Sequence, residues 1–217
     1  MGRPPYKHAM PYDPESHHRR SIRLKGYDYS QAGAYFVTIC MHNRACILGD
    51  VVNGQMLLND YGRAVEMEWT KTASIRDNVE LDVFVVMPNH FHGVILIVND
   101  MSVGATGRVA STGTIRATHR VAPTSRGLIS NSIGAIIGQF KSIVTKSIRK
   151  MGLQGFKWQR NYYEHVLRNE DKLNRTREYV LNNPLQWQFD RENPGRIQDE
   201  AYDNQWGHLE EIIYGKS

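Results

Sequence analysis

Short segments of alternating or continuous apolar residues predict β-strands along the first half of the chain. β-branched and aromatic residues dominate these segments, and turn-forming residues separate them. Asn53-Gly54 is the dipeptide that most favours a two-residue hairpin turn, so the segments on either side of it are expected to pair. The predicted strands cover residues 34–40, 47–52, 55–58, 81–87 and 91–98. A later aromatic segment, 155–168, is also extended in character.

Apolar residues at helical spacing predict helices between and after these strands. Asn59 or Asp60 can cap the first helix, and Asn169 can cap the last, which Pro184 stops. The strongest periodicity begins at Ile133, where apolar residues recur at i, i+3, i+4, i+7, i+11 and i+15. The order of elements indicates an α+β fold with a central antiparallel sheet and helices packed mainly on one face. The helices are expected over about 61–75, from Ile133 onward, and from 169 to about 182.

Composition separates a central domain from three polar segments. Residues 1–30 contain four prolines and several basic residues, which predicts an N-terminal arm. Residues 31–187 hold the predicted helices and strands. Within them, residues 99–128 are rich in Gly, Ser, Thr, Ala and Arg without periodicity, which predicts a flexible insertion. Residues 188–217 carry seven acidic residues against three basic ones and are expected to form an acidic C-terminal tail.

The distribution of charge indicates a polyanionic partner. Residues 101–160 carry ten Lys and Arg residues and no Asp or Glu. Such a stretch is typical of nucleic-acid binding, although a solvated basic face without a partner is the alternative. No apolar run approaches the roughly 20 residues of a membrane helix, so no membrane partner is expected. The chain has only Cys40 and Cys46, which favours a reducing, cytoplasmic location.

The densest group of chemically active side chains lies in the segment 87–93. Side chains alternate in a strand, so His90 and His92 are expected on one face and Phe91 on the other. Two imidazoles on one face can bind Mn, Zn, Fe or Ni, and Mg where oxygen ligands complete the coordination. A chance pair is the alternative, because the chain contains nine histidines.

Tyr179 and Asn183 lie one turn apart on the last predicted helix and share a face. A tyrosine that attacks a phosphodiester conserves the bond energy in a phosphotyrosine link. With an ordinary pKa of about 10, the phenol needs a metal or a base nearby, and the Asn183 carbonyl can complete such a metal site. Tyr162 and Tyr163 are rival nucleophiles, and a tyrosine that only packs against the core is the further alternative.

Four segments in one order resemble the REP-associated tyrosine transposases, a branch of the HUH single-strand nucleases. They span roughly residues 30–187. The segments are VMPNHFH at 86–92, GQFKS at 138–142, WQRNYYEHVLRN at 158–169 and EYVLNNP at 178–184. The resemblance implies a ferredoxin-like core and an HUH catalytic domain over residues 31–187. It also implies endonuclease and strand-transfer activity on single-stranded, hairpin-forming DNA through a 5′-phosphotyrosine intermediate.

The same resemblance implies roles for individual residues. Tyr179 would be the nucleophile, His90 and His92 the metal-binding pair, and Asn183 would stand where related transposases have a glutamine ligand. Mg²⁺ or Mn²⁺ is the implied cofactor, and a monomer or a homodimer the implied assembly. Basic and aromatic side chains are expected to bind DNA phosphates and bases. They are Lys141, Lys146, Arg149, Lys150, Trp158, Arg160, Tyr162, Tyr163 and Arg168.

Two other functions fit the same residues. The chain can be a binding module that holds nucleic acid on its basic surface without cutting it. It can also be a hydrolase in which the metal activates water and Tyr179 is structural.

Deleting residues 101–127 should weaken hairpin binding and flatten its salt dependence, because the segment contributes four arginines and no acidic residue. Removing one contact to a phosphate reduces the slope of log K against log salt concentration by roughly 0.7–0.9. Fluorescence anisotropy over a salt series measures both quantities. A full-length variant in which the four arginines are changed to serine serves as the control. It removes the charge of the segment and keeps its length, so the two contributions to binding can be told apart. An unchanged slope in both variants would contradict the prediction.

Overall fold

The structure is a computed structural model that describes residues 26–98 and 131–214. The predicted insertion, 99–128, and the first 25 residues of the predicted arm lie outside the described residues. Within the described ranges, no helix is both long enough and apolar enough to cross a membrane. In chain order the elements are β1 Gly33–Cys40, β2 Gly49–Val52, β3 Gln55–Leu58, α1 Asp60–Ile75, β4 Val79–Val86, β5 His90–Ile97, α2 Ile133–Lys150, β6 Tyr163–Leu167, α3 Glu170–Asn182 and α4 Glu200–Tyr214.

Four strands form an antiparallel sheet in the order β4-β5-β1-β6. β1 is central and pairs with β5 on one side and β6 on the other. With α1 and α2 as the crossover helices, this is the strand order of a ferredoxin-like core. The predicted hairpin, β2–β3, is inserted between β1 and α1, and Asn53 and Gly54 at its tip have φ of 52° and 74°. The predicted α+β class and antiparallel sheet are confirmed.

The crossover helices α1 and α2 pack together on one face of the sheet, over the larger hydrophobic core. Trp69 of α1 lies at its centre, with its ring centroid 4.4 Å from that of Phe91 on β5. Phe140 of α2 contacts the same tryptophan at 5.1 Å. All three side chains are buried, so the aromatic cluster joins both helices to the middle of the sheet.

The helices α3 and α4 pack on the opposite face, over a smaller core. The helices therefore divide between both faces rather than lying mainly on one. The physical reason is α4, which inserts the buried side chains of Tyr202 and Trp206 into this smaller core. Part of the segment expected to be an acidic tail is thus packed against the sheet, through Tyr202 and Trp206. The many acidic residues of this segment obscured its helical pattern in the sequence, in which apolar residues recur once per turn of α4.

Asparagine caps set where the helices begin. The Asn59 side chain accepts hydrogen bonds from the N–H groups of Tyr61 and Gly62 at the start of α1. The Asn169 side chain accepts one from Lys172 at the start of α3. The second cap fixes the register of the helix that carries Tyr179.

Replacing Gly93 with alanine should destabilise the protein, because the added carbon would lie 2.7 Å from the Trp69 ring and 2.8 Å from the Phe91 ring. Such overpacking typically lowers the free energy of unfolding by about 1–3 kcal/mol, which urea titration measures. Gly138→Ala is the matched control, because nothing lies within 4 Å of its added carbon on α2. That change should raise the free energy of unfolding by about 0.5–1 kcal/mol. Equal stability of Gly93→Ala and wild type would refute this account of the core.

Candidate active site

β5 carries two histidines on the face of the sheet that α3 and α4 cover. His90 and His92 are both 0% exposed, and the centroids of their rings lie 4.5 Å apart. Phe91, between them, points into the larger core on the other face. The structure therefore brings the two imidazoles together, as the alternation of side chains along a strand predicts.

The pairing of β1 with β5 orients the ring of His92. Thr38 stands directly opposite His92 in the register, and its Oγ1 lies 2.8 Å from His92 Nδ1. A hydrogen bond at Nδ1 leaves Nε2 as the nitrogen that faces away from the strand pair. Thr38 is itself 0% exposed, so water does not compete for this contact.

Asn89 orients the ring of His90 in the same way. Its side-chain NH₂ donates to the backbone carbonyls of Arg44, at 3.2 Å, and Glu192, at 2.7 Å. This assigns its Oδ1 to His90 Nδ1, 2.9 Å away. His90 Nδ1 must then carry the hydrogen, because an amide oxygen only accepts, and the Nε2 lone pair remains available.

Both Nε2 atoms are buried and have no hydrogen-bond partner among the residues that the structure describes. Burial, and next the neighbouring His90, lowers the pKa of His92 well below its ordinary value. Its neutral form, which is the form that binds metals, is therefore favoured. Two buried imidazoles with oriented rings and free Nε2 atoms have the chemistry of metal ligands.

Asp190 supplies a carboxylate to the same cluster. Its Oδ2 lies 3.9 Å from His90 Nε2, and it is 1% exposed. The ligand atoms of His90, His92 and Asp190 all lie within 4.8 Å of one another. Two imidazoles and a carboxylate suit a first-row divalent ion, so these three residues can hold a metal.

Asp190 is not among the predicted site residues, because it lies in the segment predicted to be an acidic tail. Asp190 is one of seven acidic residues there, and no spacing relative to the histidines distinguishes it. Its position depends on the turn that follows α3, which brings the chain back over the histidines.

Asn183, the predicted third ligand, contacts Asp190. Its Nδ2 donates to Asp190 Oδ2 at 2.9 Å, and the N–H of Glu192 donates to Asp190 Oδ1 at 2.6 Å. The side-chain oxygen of Asn183, Oδ1, is buried and accepts no hydrogen bond within the described ranges. Asn183 therefore orients the carboxylate and keeps its own Oδ1 without a partner.

Tyr179 lies on α3 against the histidines of its own chain. The centroid of its ring is 5.4 Å from that of His92 and 6.3 Å from that of Phe36 on β1. Its hydroxyl is buried and has no hydrogen-bond partner in the described part of the chain. Burial, and next the negative charge of Asp190, raises the pKa of Tyr179 well above its ordinary value. The phenol is therefore protonated in this conformation.

Aromatic side chains from the last part of the chain cover the cluster. The ring of Trp187 lies 6.0 Å from that of His90, and the ring of Trp206 lies 5.6 Å from that of Tyr179. Tyr179 is only 1% exposed. The phenol is therefore closed off from solvent in this conformation, and Trp187 and Trp206, named the aromatic cover below, are among the side chains around it.

Most of the predicted DNA-binding cations lie on the surface. Lys146, Lys150, Arg160 and Arg168 are exposed. Arg149 is exposed as well, although it also donates to the carbonyl of Phe156 at 3.2 Å. These side chains are open to phosphate groups in the described structure.

Lys141 departs from the predicted role. Its ammonium donates to the carbonyls of Gln159, Arg160 and Asn161 at 2.6, 3.2 and 3.3 Å. An ammonium has three N–H donors, so these contacts use all of them. Burial lowers the pKa of Lys141 to about 8. Lys141 ties a loop to α2 and has no donor left for a phosphate.

Trp158 also departs from prediction, because it is 9% exposed and packs in the larger core beside Phe156. A ring enclosed in this way cannot stack on a base. Tyr162 packs against the same core and donates to Glu164 at 2.7 Å. Tyr163 lies on β6 opposite Thr38, on the face of the histidines, and is partly exposed.

Comparison with known proteins gave one strong match in sequence. No protein-family model matches the chain. The chain is similar to an uncharacterized protein of Haemophilus influenzae, with 41% identity over 180 residues, which cover 83% of this chain and 96% of the relative. In structure it is similar to a REP-associated tyrosine transposase bound to a REP hairpin, with a TM-score of 0.49 and 17% identity over 76% of this chain and 73% of that one. At 41% identity over nearly the whole relative, the chain belongs to the same family as the Haemophilus influenzae protein.

Proposed function

We propose that the protein is a metal-dependent, single-strand DNA endonuclease and strand transferase of the tyrosine transposase kind. The observation that carries the proposal is the buried cluster in which His90, His92 and Asp190 lie beside the ring of Tyr179. A nucleophile next to a metal-binding group is the combination that phosphodiester transfer requires. The resemblance of four sequence segments to the REP-associated transposases supports the same conclusion.

His90, His92 and Asp190 would hold a divalent ion such as Mn²⁺ or Mg²⁺, with the Asn183 carbonyl beside it. A bound ion polarises the scissile phosphate and offsets the charge that develops on it. Thr38 and Asn89 keep the imidazoles turned toward that position through their contacts at Nδ1. Mutation of residues that orient metal ligands in this way commonly lowers metal affinity or activity by about 10–100-fold.

Tyr179 attacks the phosphorus with its phenolic oxygen. A bond forms between that oxygen and phosphorus, and the bond from phosphorus to the 3′-oxygen breaks. The phenolic proton is lost and the departing 3′-oxygen gains one, so the products are a 5′-phosphotyrosine and a free 3′-hydroxyl. Attack by a 3′-hydroxyl on the phosphotyrosine then reseals a strand and releases the phenol. No ATP is needed, because the number of phosphoester bonds is unchanged.

The DNA would be a single strand that folds into a hairpin. The exposed basic residues on and after α2 provide the electrostatic part of binding. The phenol and the imidazoles lie on one chain, so the site would need no residue from a second copy. The aromatic cover would have to move during the reaction cycle, because the phenol is enclosed while the cover stays in place.

Changing Tyr179 to phenylalanine should eliminate a covalent protein–DNA adduct and leave the affinity for DNA within about threefold. The change removes the attacking oxygen and keeps the ring that packs against His92. A denaturing gel of the protein incubated with Mn²⁺ and a labelled hairpin oligonucleotide measures the adduct, and fluorescence anisotropy measures the affinity.

Tyr61→Phe is the matched control, because Tyr61 packs against the larger core on the other face of the sheet. It should form the adduct at the wild-type rate. An adduct that persists in Tyr179→Phe and disappears in Tyr163→Phe would assign the chemistry to the other tyrosine. Cleaved DNA with a free 5′-phosphate in Tyr179→Phe would show a metal hydrolase instead.

Mn²⁺ should raise the thermal stability of the protein, and His92→Ala or Asp190→Asn should reduce this effect. At a hundred times its dissociation constant, a ligand of the native state adds about 2.7 kcal/mol. Differential scanning calorimetry with and without the ion measures the shift independently of activity. His208→Ala should keep the full shift, because His208 lies on α4 outside the cluster. Equal shifts in wild type and both site variants would exclude the cluster as the metal site.

A further inference from the structure

The helix that carries the nucleophile is joined to the edge of the sheet by a two-point ion pair. Arg177 lies on α3, two residues before Tyr179, and reaches Asp82 on β4. Its Nη2 lies 2.5 Å and its Nε 3.0 Å from Asp82 Oδ2. The Nε is also 3.2 Å from Oδ1, so both oxygens of the carboxylate take part. Such forked contacts fix the angle of an arginine as well as its distance.

Asp82 and Val83 lie at a β-bulge in β4. The register between β4 and β5 shifts between Leu81 and Phe84, which places one extra residue in β4. Bulges re-aim side chains and are frequent beside active sites. Here Val83 packs against the smaller core, and its N–H donates to Asp82 Oδ1 at 2.7 Å. The strand thus directs the carboxylate of Asp82 toward the face that α3 covers.

Arg177 is also held from its own helix. Its Nη1 donates to Asn174 Oδ1 at 2.8 Å and lies 3.4 Å from Glu170 Oε1. Burial alone would raise the pKa of Asp82, but hydrogen bonds from Arg177 and the Val83 N–H outweigh it and hold the pKa below its ordinary value. The pair is therefore ionised and oriented at neutral pH.

The Tyr179 phenol is not held by an ion pair of the kind that holds Arg177. The Tyr179 hydroxyl has the Tyr202 hydroxyl nearby but makes no hydrogen bond of regular length and angle to a described residue, and the rings of Phe36, His92 and Trp206 hold the side chain by packing. Its reach toward the imidazoles consequently depends on how α3 is rotated about its axis. In enzymes, a misplacement of about 1 Å can reduce the rate on the order of 10²-fold.

We propose that Asp82 and Arg177 are positioning residues that fix the rotation of α3 and thereby aim the Tyr179 oxygen at the phosphate next to His90 and His92. The inference rests on the proposed function, since it concerns the rate of attack by Tyr179.

Arg177→Ala should slow adduct formation at saturating hairpin DNA and Mn²⁺ by at least about tenfold, since the nucleophile loses its orientation. The affinity for DNA should stay within threefold. Arg175→Ala is the matched control, because Arg175 is an exposed cation on the same helix. It removes the same charge and should leave the rate within twofold of wild type. Rapid-quench single-turnover measurements give the rate. If Arg177→Ala does not fold, Asp82→Asn is the less disruptive substitution, because it removes the charge of Asp82 and keeps the shape of its side chain.

The exchanged pair Asp82→Arg with Arg177→Asp keeps the net charge and restores an ion pair. The exchanged pair should recover most of the rate that Arg177→Ala loses. If Arg177 acted only through other contacts on α3, the exchange would not restore the rate. A rate within twofold of wild type in both Arg177→Ala and Asp82→Asn overturns the proposal, and so does an exchanged pair no faster than Arg177→Ala. Absence of the adduct in the wild-type protein refutes the proposed function itself.

Discussion

The antiparallel pairing of β1 with β5 is the constraint on which the candidate site depends. This register places Thr38 opposite His92 and brings both imidazoles to the face that α3 covers. A slip by one residue would turn the histidines into the larger core and Phe91 toward α3. The aromatic cluster around Trp69 opposes such a slip, because Gly93 is the position that leaves space for its ring. The packing of one face therefore secures the chemistry of the other.

Local pattern was sufficient to predict most of the framework. The Asn53-Gly54 hairpin, the Asn59 and Asn169 caps and the amphipathic α2 follow from turn and helix preferences, which act over a few residues. The two histidines share a face because a strand alternates with period two. These features need no information about distant parts of the chain.

Tertiary packing decided what local pattern did not predict. Asp190 reaches the histidines only because the chain turns back after α3, and α4 was obscured by acidic residues on its exposed side. Lys141 and Trp158 are of residue types that commonly bind DNA. The Lys141 ammonium, however, donates to three backbone carbonyls, and the Trp158 side chain is enclosed by the core. Burial and the availability of hydrogen-bond donors are properties of the folded chain.

The candidate site is also a thermodynamic weak point. Two imidazole nitrogens, a phenolic hydroxyl and an amide oxygen are buried there without partners among the described residues. A buried polar group left without a hydrogen bond costs about 1–3 kcal/mol, whereas apolar side chains of the same shape would incur no such cost. In the absence of a bound ion, apolar side chains of similar shape would therefore favour the fold more than this cluster does. The same groups would gain their partners from a metal ion, so binding the ion and stabilising this part of the fold would be one event.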